Sequence, residues 1–377
     1  MNDVRREPKH LSSAALSMRP DGDLKDELPP PSIVGRVLMS RYVPQSLLSE
    51  GAFSVRYRAD DLTTGEAVCL EFLPRRAIST SSKIWHDVAQ LAALGDPNIV
   101  EGVGRGVAGG AWPFLVTEST EGTPLRDLLG SGEPLELARV VRIGAQCAEA
   151  LAAAHGVGVI HGALSPERIS CGSAGRAYES VKVAGFGIAS LVEASPEALL
   201  SGSPELHAYA SPEHIEGHRL DTRTDIYSLG AILYELVAGR PPFEGSALGI
   251  LRHHLRTEPG PASKSAASKG KATPQRGSND LALRVIDKII ARCLAKQAES
   301  RYPNAAELAA DLARLGAALA RARDTTNGST SDEAPGSSPN ATRADRKSHT
   351  ELLPAHRPPQ KSHVGMRKLP KVIVRGA

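Results

Sequence analysis

The chain has 377 residues, a formal net charge of +3 and four cysteines. That charge is too small to indicate nucleic-acid binding. The cysteines lie far apart without a C-x-x-C pair, which argues against a zinc site or a disulfide framework. No apolar leader and no run of about 18 apolar residues is visible, so we expect neither a secretory signal nor a membrane span, and a cytoplasmic location.

The first part of the chain is predicted to be a polar tail followed by strands. Residues 1–36 mix charges with Ser and Pro, which predicts disorder. Strands are predicted to open at Tyr42 and to cover Val55–Ala59 and Ala67–Leu73, with a turn at Thr63–Glu66 between the last two.

Helical patterns dominate the remainder. Trp85–Leu94 has helical spacing and ends at a Gly-Asp-Pro stop, and an apolar strand, Phe114–Glu118, precedes a long Ala-rich helix, Leu135–His155. Further helices are predicted at Asp280–Ala295 and from Ala305 to about Arg321. Residues 257–279, which precede the first of these two helices, are rich in Lys, Ser, Gly and Pro, and this composition predicts a flexible insertion.

Two stretches carry the main motif. Val159–Ile169 and Val181–Ala189 resemble the catalytic loop (H-R-D-L-x-x-x-x-N) and the metal-binding loop (D-F-G) of protein kinases. The frame of both patterns is present, at His161, Leu164, Pro166, Ile169, Phe186 and Gly187.

The residues that carry chemistry in the family differ here. Ala163 occupies the position of the family's catalytic Asp, and Ser165 occupies the position of the loop Lys that accompanies it. Arg168 occupies the position of the metal-binding Asn, and Gly185 occupies the position of the metal-binding Asp.

The resemblance extends to the phosphate-binding part of the nucleotide cleft. The kinase Gly-rich loop corresponds to Ser49, Gly51 and Ser54. The phosphate-binding Lys corresponds to Glu71, and its helical Glu partner to Asp87. An acid about 4 Å from a phosphate costs roughly 4 kcal/mol.

The family's remaining cleft positions are Arg56, Cys69, the gatekeeper Thr117, the hinge residue Glu118 and Ser170. We expect Arg56 to pair with Glu71, or failing that with Asp87, and to block the cleft. The alternative is an Arg56 that turns to solvent and leaves the cleft open.

The structural motifs of the family are also recognisable. Glu213 lies in a segment that resembles A-P-E, and Arg301 in the turn before the last helix; the resemblance implies a buried ion pair between them. It also implies that Asp225 holds the catalytic-loop backbone, and that His161 stacks with Phe186.

The fold class that follows is α+β, a bilobal protein-kinase-like fold with a small β-rich N-lobe at 37–119 and a larger helical C-lobe at 120–321. Disordered tails at 1–36 and 322–377 flank it. The far end of the second tail mixes basic and apolar residues, typical of a solvated tail or of a docking peptide for an acidic partner or a membrane surface.

The altered motif positions predict a pseudokinase, that is, a protein that is not an enzyme and that binds neither Mg²⁺ nor ATP. Its expected role is a scaffold or allosteric regulator with a protein partner such as an active kinase, and without nucleic acid. Two alternatives stay open. One is an atypical Ser/Thr kinase with residual ATP binding and phosphotransfer, using Arg56 and an unassigned base; the other is a small-molecule sensor that uses the inter-lobe cleft.

Overall fold

The computed structural model describes residues 28–29, 31–51, 54–78, 81–120, 122–130, 135–172, 179–187, 204–268 and 280–328. The predicted tails, apart from residues at their inner ends, lie outside the described residues, as do the loop tip at Ala52 and Phe53 and the segment 188–203. Among the described helices, none combines the length and apolar character needed to cross a membrane.

An antiparallel five-stranded sheet forms the N-lobe. Its strands are β1 (Tyr42–Glu50), β2 (Val55–Asp61), β3 (Ala67–Phe72), β4 (Gly102–Ala108) and β5 (Trp112–Glu118), in the order β1-β2-β3-β5-β4. Tyr57, Phe72 and Phe114 are buried on one face, where the Phe72 ring contacts the other two at centroid distances of 5.9 and 5.1 Å. The helix α1 (Ser81–Leu94) completes this lobe.

The C-lobe is built around one buried helix. This helix, α6 (Thr222–Ala238), is capped by Asp221, whose side chain accepts a hydrogen bond from the Arg223 N–H, and it stops at Gly239 in the left-handed conformation. The other helices are α2 (Leu125–Leu129), α3 (Leu137–Gly156), α4 (Pro204–His207), α5 (Pro212–Ile215), α7 (Ala247–Arg256), α8 (Ala262–Ser268), α9 (Asp280–Cys293) and α10 (Ala305–Gly328).

A second, three-stranded sheet positions the site at the lobe boundary. It consists of β6 (Thr123–Pro124), β7 (Ile169–Cys171) and β8 (Val181–Val183), in that order. Arg168 directly precedes β7, and Gly185 follows the end of β8. Because β7 and β8 pair antiparallel, with Ile169 opposite Val183, Arg168 and Gly185 lie close together.

The predicted bilobal kinase-like fold is confirmed, with local differences. Strand β4 carries little signal in the sequence, because glycine occupies alternate positions at its start and leaves little apolar alternation. Part of the predicted flexible insertion is the helix α8, which is held by buried Ala262 and by a 2.5 Å hydrogen bond from the Ser263 hydroxyl to Asp287. The last helix continues past Arg321 to Gly328.

Candidate functional site

One buried carboxylate holds the catalytic-loop backbone. Asp225, in the first turn of α6, accepts hydrogen bonds from the backbone N–H groups of His161 (2.9 Å) and Gly162 (2.8 Å). His155 Nε2 lies 2.7 Å from the same carboxylate. Gly162 has a φ of +74°, a conformation that glycine adopts without strain. The structure thus brings Asp225 and the loop together in the arrangement that the sequence predicted.

His161 links the catalytic loop to the segment after β8. Its Nε2 donates a 2.9 Å hydrogen bond to the Ala184 carbonyl, and its ring lies 4.8 Å from that of Phe186. Burial lowers the pKa of His161, so the neutral imidazole is the stable form. The predicted contact of His161 with Phe186 is therefore present, and it joins the two motif stretches.

The Arg168 side chain fills the space beside Gly185. A Cβ on Gly185 would lie 3.0 Å from both Cδ and Nη1 of Arg168, and the φ of Gly185 is +87°. An aspartate at this position would crowd the arginine side chain, which would have to shift, and it would strain the backbone. The two altered motif positions are consequently coupled, because the missing side chain of one makes room for the long side chain of the other.

Arg168 connects the two lobes through Glu71 and Ser54. Its Nη1 donates to Glu71 Oε1, and its Nη2 donates to the Ser54 hydroxyl at 2.8 Å. The Ser54 hydroxyl in turn donates to Glu71 Oε1 at 2.6 Å, which closes a triangle of hydrogen bonds. Burial alone raises the pKa of Glu71, but the positive charges of Arg168 and Arg56 outweigh it and hold that pKa below its ordinary value. Glu71 is thus an ionised carboxylate at neutral pH.

The prediction that Arg56 pairs with Glu71 or Asp87 is wrong. Arg56 lies directly opposite Glu71 in the β2–β3 register, yet its Nη1 donates to the Glu167 carbonyl at 3.3 Å. Within the described part of the chain, its Nε has no hydrogen-bond partner. Arg168 takes the Glu71 carboxylate instead, because Gly185 leaves room for its side chain to reach across from the C-lobe. Arg56 is nevertheless only 9% exposed, so it does not turn out to solvent.

Asp87 also has a different partner from the one expected. It lies 3.0 Å from Lys83 Nζ, one helical turn earlier on α1. The spacing of four residues on a helix favours this local ion pair over a partner across the cleft. Asp87 thus lies outside the triangle formed by Arg168, Glu71 and Ser54.

The other residues predicted to form the cleft lie on the strands and at the hinge. Ser49 pairs with Arg56 in the β1–β2 register, and Thr117 pairs with Cys69 across β5 and β3. Glu118 accepts a 2.5 Å hydrogen bond from Lys182, and the Ser170 and Thr120 hydroxyls lie 3.3 Å apart. The Gly51 N–H donates to the Ser54 carbonyl at 2.9 Å, which closes the base of the loop whose tip is not described.

The residues at the two metal-binding positions do not fit a divalent cation. Mg²⁺ takes oxygen ligands, whereas Gly185 has no side chain and Arg168 carries a positive charge. The described residues contain no group of three or more His, Cys, Asp or Glu that could hold a metal ion. Ala163, half-buried at the catalytic-base position, accepts no proton, and the neighbouring Ser165 is buried. At positions 168 and 185 the structure therefore offers the guanidinium of Arg168 in place of ligands for a metal ion.

The predicted ion pair of the C-lobe is bidentate. Arg301 donates from Nη1 and Nη2 to the two carboxylate oxygens of Glu213, both at 2.8 Å. The arginine side chain is fully buried, and its guanidinium lies 4.8 Å from the Tyr227 ring centroid. Burial acts to raise the pKa of Glu213, but the hydrogen bonds and charge of Arg301 outweigh it and lower that pKa to about 2. This pair joins α5 to the turn before α10.

A second arginine cluster beneath the cleft has no counterpart in the sequence prediction. Arg126 on α2 donates to Glu167 Oε1 (2.5 Å), Glu235 Oε1 (2.9 Å) and the Tyr209 hydroxyl (2.5 Å). Burial and the neighbouring charge of Glu235 raise the pKa of Tyr209 well above its ordinary value. No local pattern indicates this cluster, because its members come from elements far apart in the chain.

Comparison with known proteins agrees with this geometry. The protein kinase domain family matches residues 42–311. The chain is 31% identical over 290 residues to the serine/threonine-protein kinase pkn3 of Myxococcus xanthus, covering 74% of this chain and 50% of that protein. It is 32% identical over 287 residues to PknB, a serine/threonine-protein kinase of Mycobacterium tuberculosis, covering 74% of this chain and 43% of that protein. The chain thus spans half or less of the length of these relatives.

The fold comparison points the same way. The Mycobacterium tuberculosis PknI kinase domain superposes with a TM-score of 0.53 at 20% sequence identity, covering 74% of this chain and 97% of that domain. At that identity the match speaks for the fold alone.

The comparisons overturn part of the functional prediction. Relatives named as Ser/Thr protein kinases contradict the expectations of a catalytically inactive scaffold, of a protein that is not an enzyme, and of a cleft without ATP or Mg²⁺. The prediction rested on the residue types at the motif positions alone, whereas the matched family and the named relatives are protein kinases. By its matched sequence and its two-lobed fold, this chain belongs to the protein kinase family.

Proposed function

We propose that this chain is an atypical Ser/Thr protein kinase, which binds a nucleotide between its lobes and transfers a phosphoryl group to a protein substrate. The observation that carries the proposal is the pair of guanidinium groups, those of Arg56 and Arg168, in the cleft of a protein-kinase-family fold. The names of the relatives support the substrate class.

Guanidinium groups suit the charge of the substrate. Arginine binds phosphate through charge-assisted, often bidentate hydrogen bonds, and it stays ionised when buried. Phosphoryl transfer requires mainly positioning and electrostatic stabilisation of the equatorial oxygens. In the proposed reaction Arg56 and Arg168 contribute positive charge to the phosphoryl oxygens, while the loop held by Asp225 fixes the geometry of the floor of the cleft.

The rate is expected to be low. General-base catalysis contributes about 10²–10⁴-fold, and Ala163 supplies none of it. We therefore expect turnover slower than that of a kinase with a catalytic Asp by about that factor. In this proposal the N-lobe ends near residue 119, and the C-lobe extends to the end of the last helix at Gly328.

The test is transfer of labelled γ-phosphate by the full chain to a Ser/Thr peptide library, with Mg²⁺, with Mn²⁺ and with EDTA. Arg56→Met and Arg168→Met, purified in parallel, control for a contaminating kinase. We expect transfer by the wild type that both variants lose. Transfer that persists unchanged in both variants, or no transfer by the wild type under any of the three conditions, would overturn the proposal.

A further inference from the structure

The Glu71 carboxylate lies where positively charged and hydroxyl groups converge. It accepts hydrogen bonds from the Ser54 hydroxyl at 2.6 Å and from Arg168, which also contacts that hydroxyl at 2.8 Å. Hydroxyl and guanidinium donors are groups that bind phosphoryl oxygens in proteins. Glu71 thus lies among donors in the way that a bound anion would.

The donors are buried and their charge is not fully balanced. Ser54 is 1% exposed, Glu71 2% and Arg56 9%. Two arginines and one carboxylate leave the cluster with one excess positive charge. Arg56 Nε has no hydrogen-bond partner among the described residues, and the Cys69 sulfur near Arg56 is a weak acceptor.

The unsatisfied Arg56 Nε is an observation independent of the hydrogen bonds among Arg168, Glu71 and Ser54. A buried cation with an unsatisfied donor is costly unless an anion pairs with it. The excess charge and the unsatisfied Nε of Arg56 therefore both point to a negatively charged ligand.

The space for Arg168 is built into the backbone. Gly185, with its positive φ and without a Cβ, leaves the volume in which the arginine side chain crosses toward the N-lobe. The donors of the cluster therefore come from both lobes, with Ser54 and Arg56 from one and Arg168 from the other. A ligand anion bound there would contact both lobes at once.

We propose that Ser54, Arg56 and Arg168 form a phosphoryl-binding subsite, that the Glu71 carboxylate occupies it as an internal anion, and that an incoming phosphoryl group must displace this carboxylate. The identification of the ligand as a nucleotide rests on the proposed function; the anion subsite itself does not. Glu71 then sets the affinity of the site, because a ligand phosphate competes with a carboxylate that is already in contact with Arg168. The ion pair is in this sense an autoinhibitory contact.

The experiment removes the charge of the internal anion and keeps its shape. In the full-length variant Glu71→Gln, the amide oxygen still accepts from Ser54 and Arg168 but carries no charge. Binding of inorganic tripolyphosphate and of ATP is measured by calorimetry in EDTA, beside the wild type and Asp60→Asn. Asp60 is an exposed residue of the same strand β2 as Arg56, so its variant changes the net charge equally without touching the subsite.

We expect Glu71→Gln to bind tripolyphosphate at least tenfold more tightly than the wild type, and Asp60→Asn to bind like the wild type. The expected gain follows from removal of a carboxylate charge about 4 Å from the bound phosphate. The double variant Glu71→Gln with Arg168→Met should lose that gain. If Glu71→Gln proves unfolded by circular dichroism, Glu71→Asp, whose shorter side chain withdraws from Arg168, is measured in its place with the same direction expected.

The outcomes separate this inference from the proposed function. Equal tripolyphosphate affinity in the wild type and Glu71→Gln overturns the subsite, even if the wild type binds ATP and transfers phosphate. A gain for tripolyphosphate in a protein that binds no ATP and transfers no phosphate supports the subsite and refutes the kinase proposal. A gain of the same size in Asp60→Asn would reduce the effect to net charge and would also overturn the subsite.

Discussion

Replacing Arg301 with alanine tests how the C-lobe is held together. The substitution removes both hydrogen bonds to Glu213, and also those to the carbonyls of Ala295 (2.8 Å), Arg223 (3.0 Å) and Lys296 (3.1 Å). Breaking a buried pair by losing one partner costs about 3–5 kcal/mol, and three orphaned carbonyls add about 1 kcal/mol each. We expect a loss of about 6 kcal/mol or more, a large part of the roughly 5–15 kcal/mol typical of a domain.

The loss of stability in Arg301→Ala can also be calculated from the pKa of the Glu213 carboxylate. The lowering of the Glu213 pKa from 4.5 to about 2 corresponds to about 3 kcal/mol. That value lies at the lower end of the range for the pair, and the carbonyl bonds come in addition. The two routes therefore agree that about half of the cost comes from the buried Glu213 left without its cation, and the remainder comes from the orphaned carbonyls.

Thermal and urea unfolding followed by circular dichroism measure the effect. The matched control is Arg284→Ala, because Arg284 forms an ion pair with Asp280 in which both side chains are 72% exposed. We expect the control to lose less than about 0.5 kcal/mol, and Arg301→Ala to melt about 12 °C or more below the wild type. A melting temperature of Arg301→Ala equal to that of Arg284→Ala would refute the reasoning.

The buried polar groups make three more expectations testable. The folded pKa of Glu213 is about 2, below its usual 4.5, so its contribution is complete above pH 4.5 and is lost as the pH falls toward 2; urea titrations should show the gap between wild type and Arg301→Ala narrowing over that window. Asp225→Asn should cost about 3 kcal/mol and reduce hydrogen-exchange protection of the His161 and Gly162 amides at least tenfold, and unchanged protection would contradict the role of Asp225. All four cysteines are buried, and burial raises the pKa of each thiol, so iodoacetamide near neutral pH should label them in guanidinium chloride and leave the native protein unlabelled; the cysteines are Cys69, Cys147, Cys171 and Cys293.

The sequence predicts best what local patterns determine. Strands β2 and β3 alternate apolar residues that face the core, and the register that places Arg56 opposite Glu71 follows from that alternation and the intervening turn. The family frame, from His161 to Phe186, also appears where the motif spacing puts it. These features depend on neighbours in the chain or on adjacent strands.

The partner of Glu71 could not be predicted in the same way. Arg168 is 97 residues further along the chain, and its approach depends on how the lobes meet and on the space beside Gly185. The β2–β3 register favours Arg56 as the partner of Glu71, but the tertiary geometry brings Arg168 to that carboxylate instead. The prediction of inactivity rested on the residue types at single motif positions, and it is contradicted by the matched family and relatives.

The Arg126 cluster has a consequence for the order in which the domain folds. Arg126 is separated by 41 residues from Glu167, by 83 from Tyr209 and by 109 from Glu235. Contacts that close such long loops are formed late, because the chain entropy is lost before the contacts compensate for it. We therefore expect these hydrogen bonds to be absent from the folding transition state, so that Arg126→Ala leaves the refolding rate nearly unchanged and accelerates unfolding. The residues beneath the cleft would then govern how long the native state lasts rather than how fast it is reached.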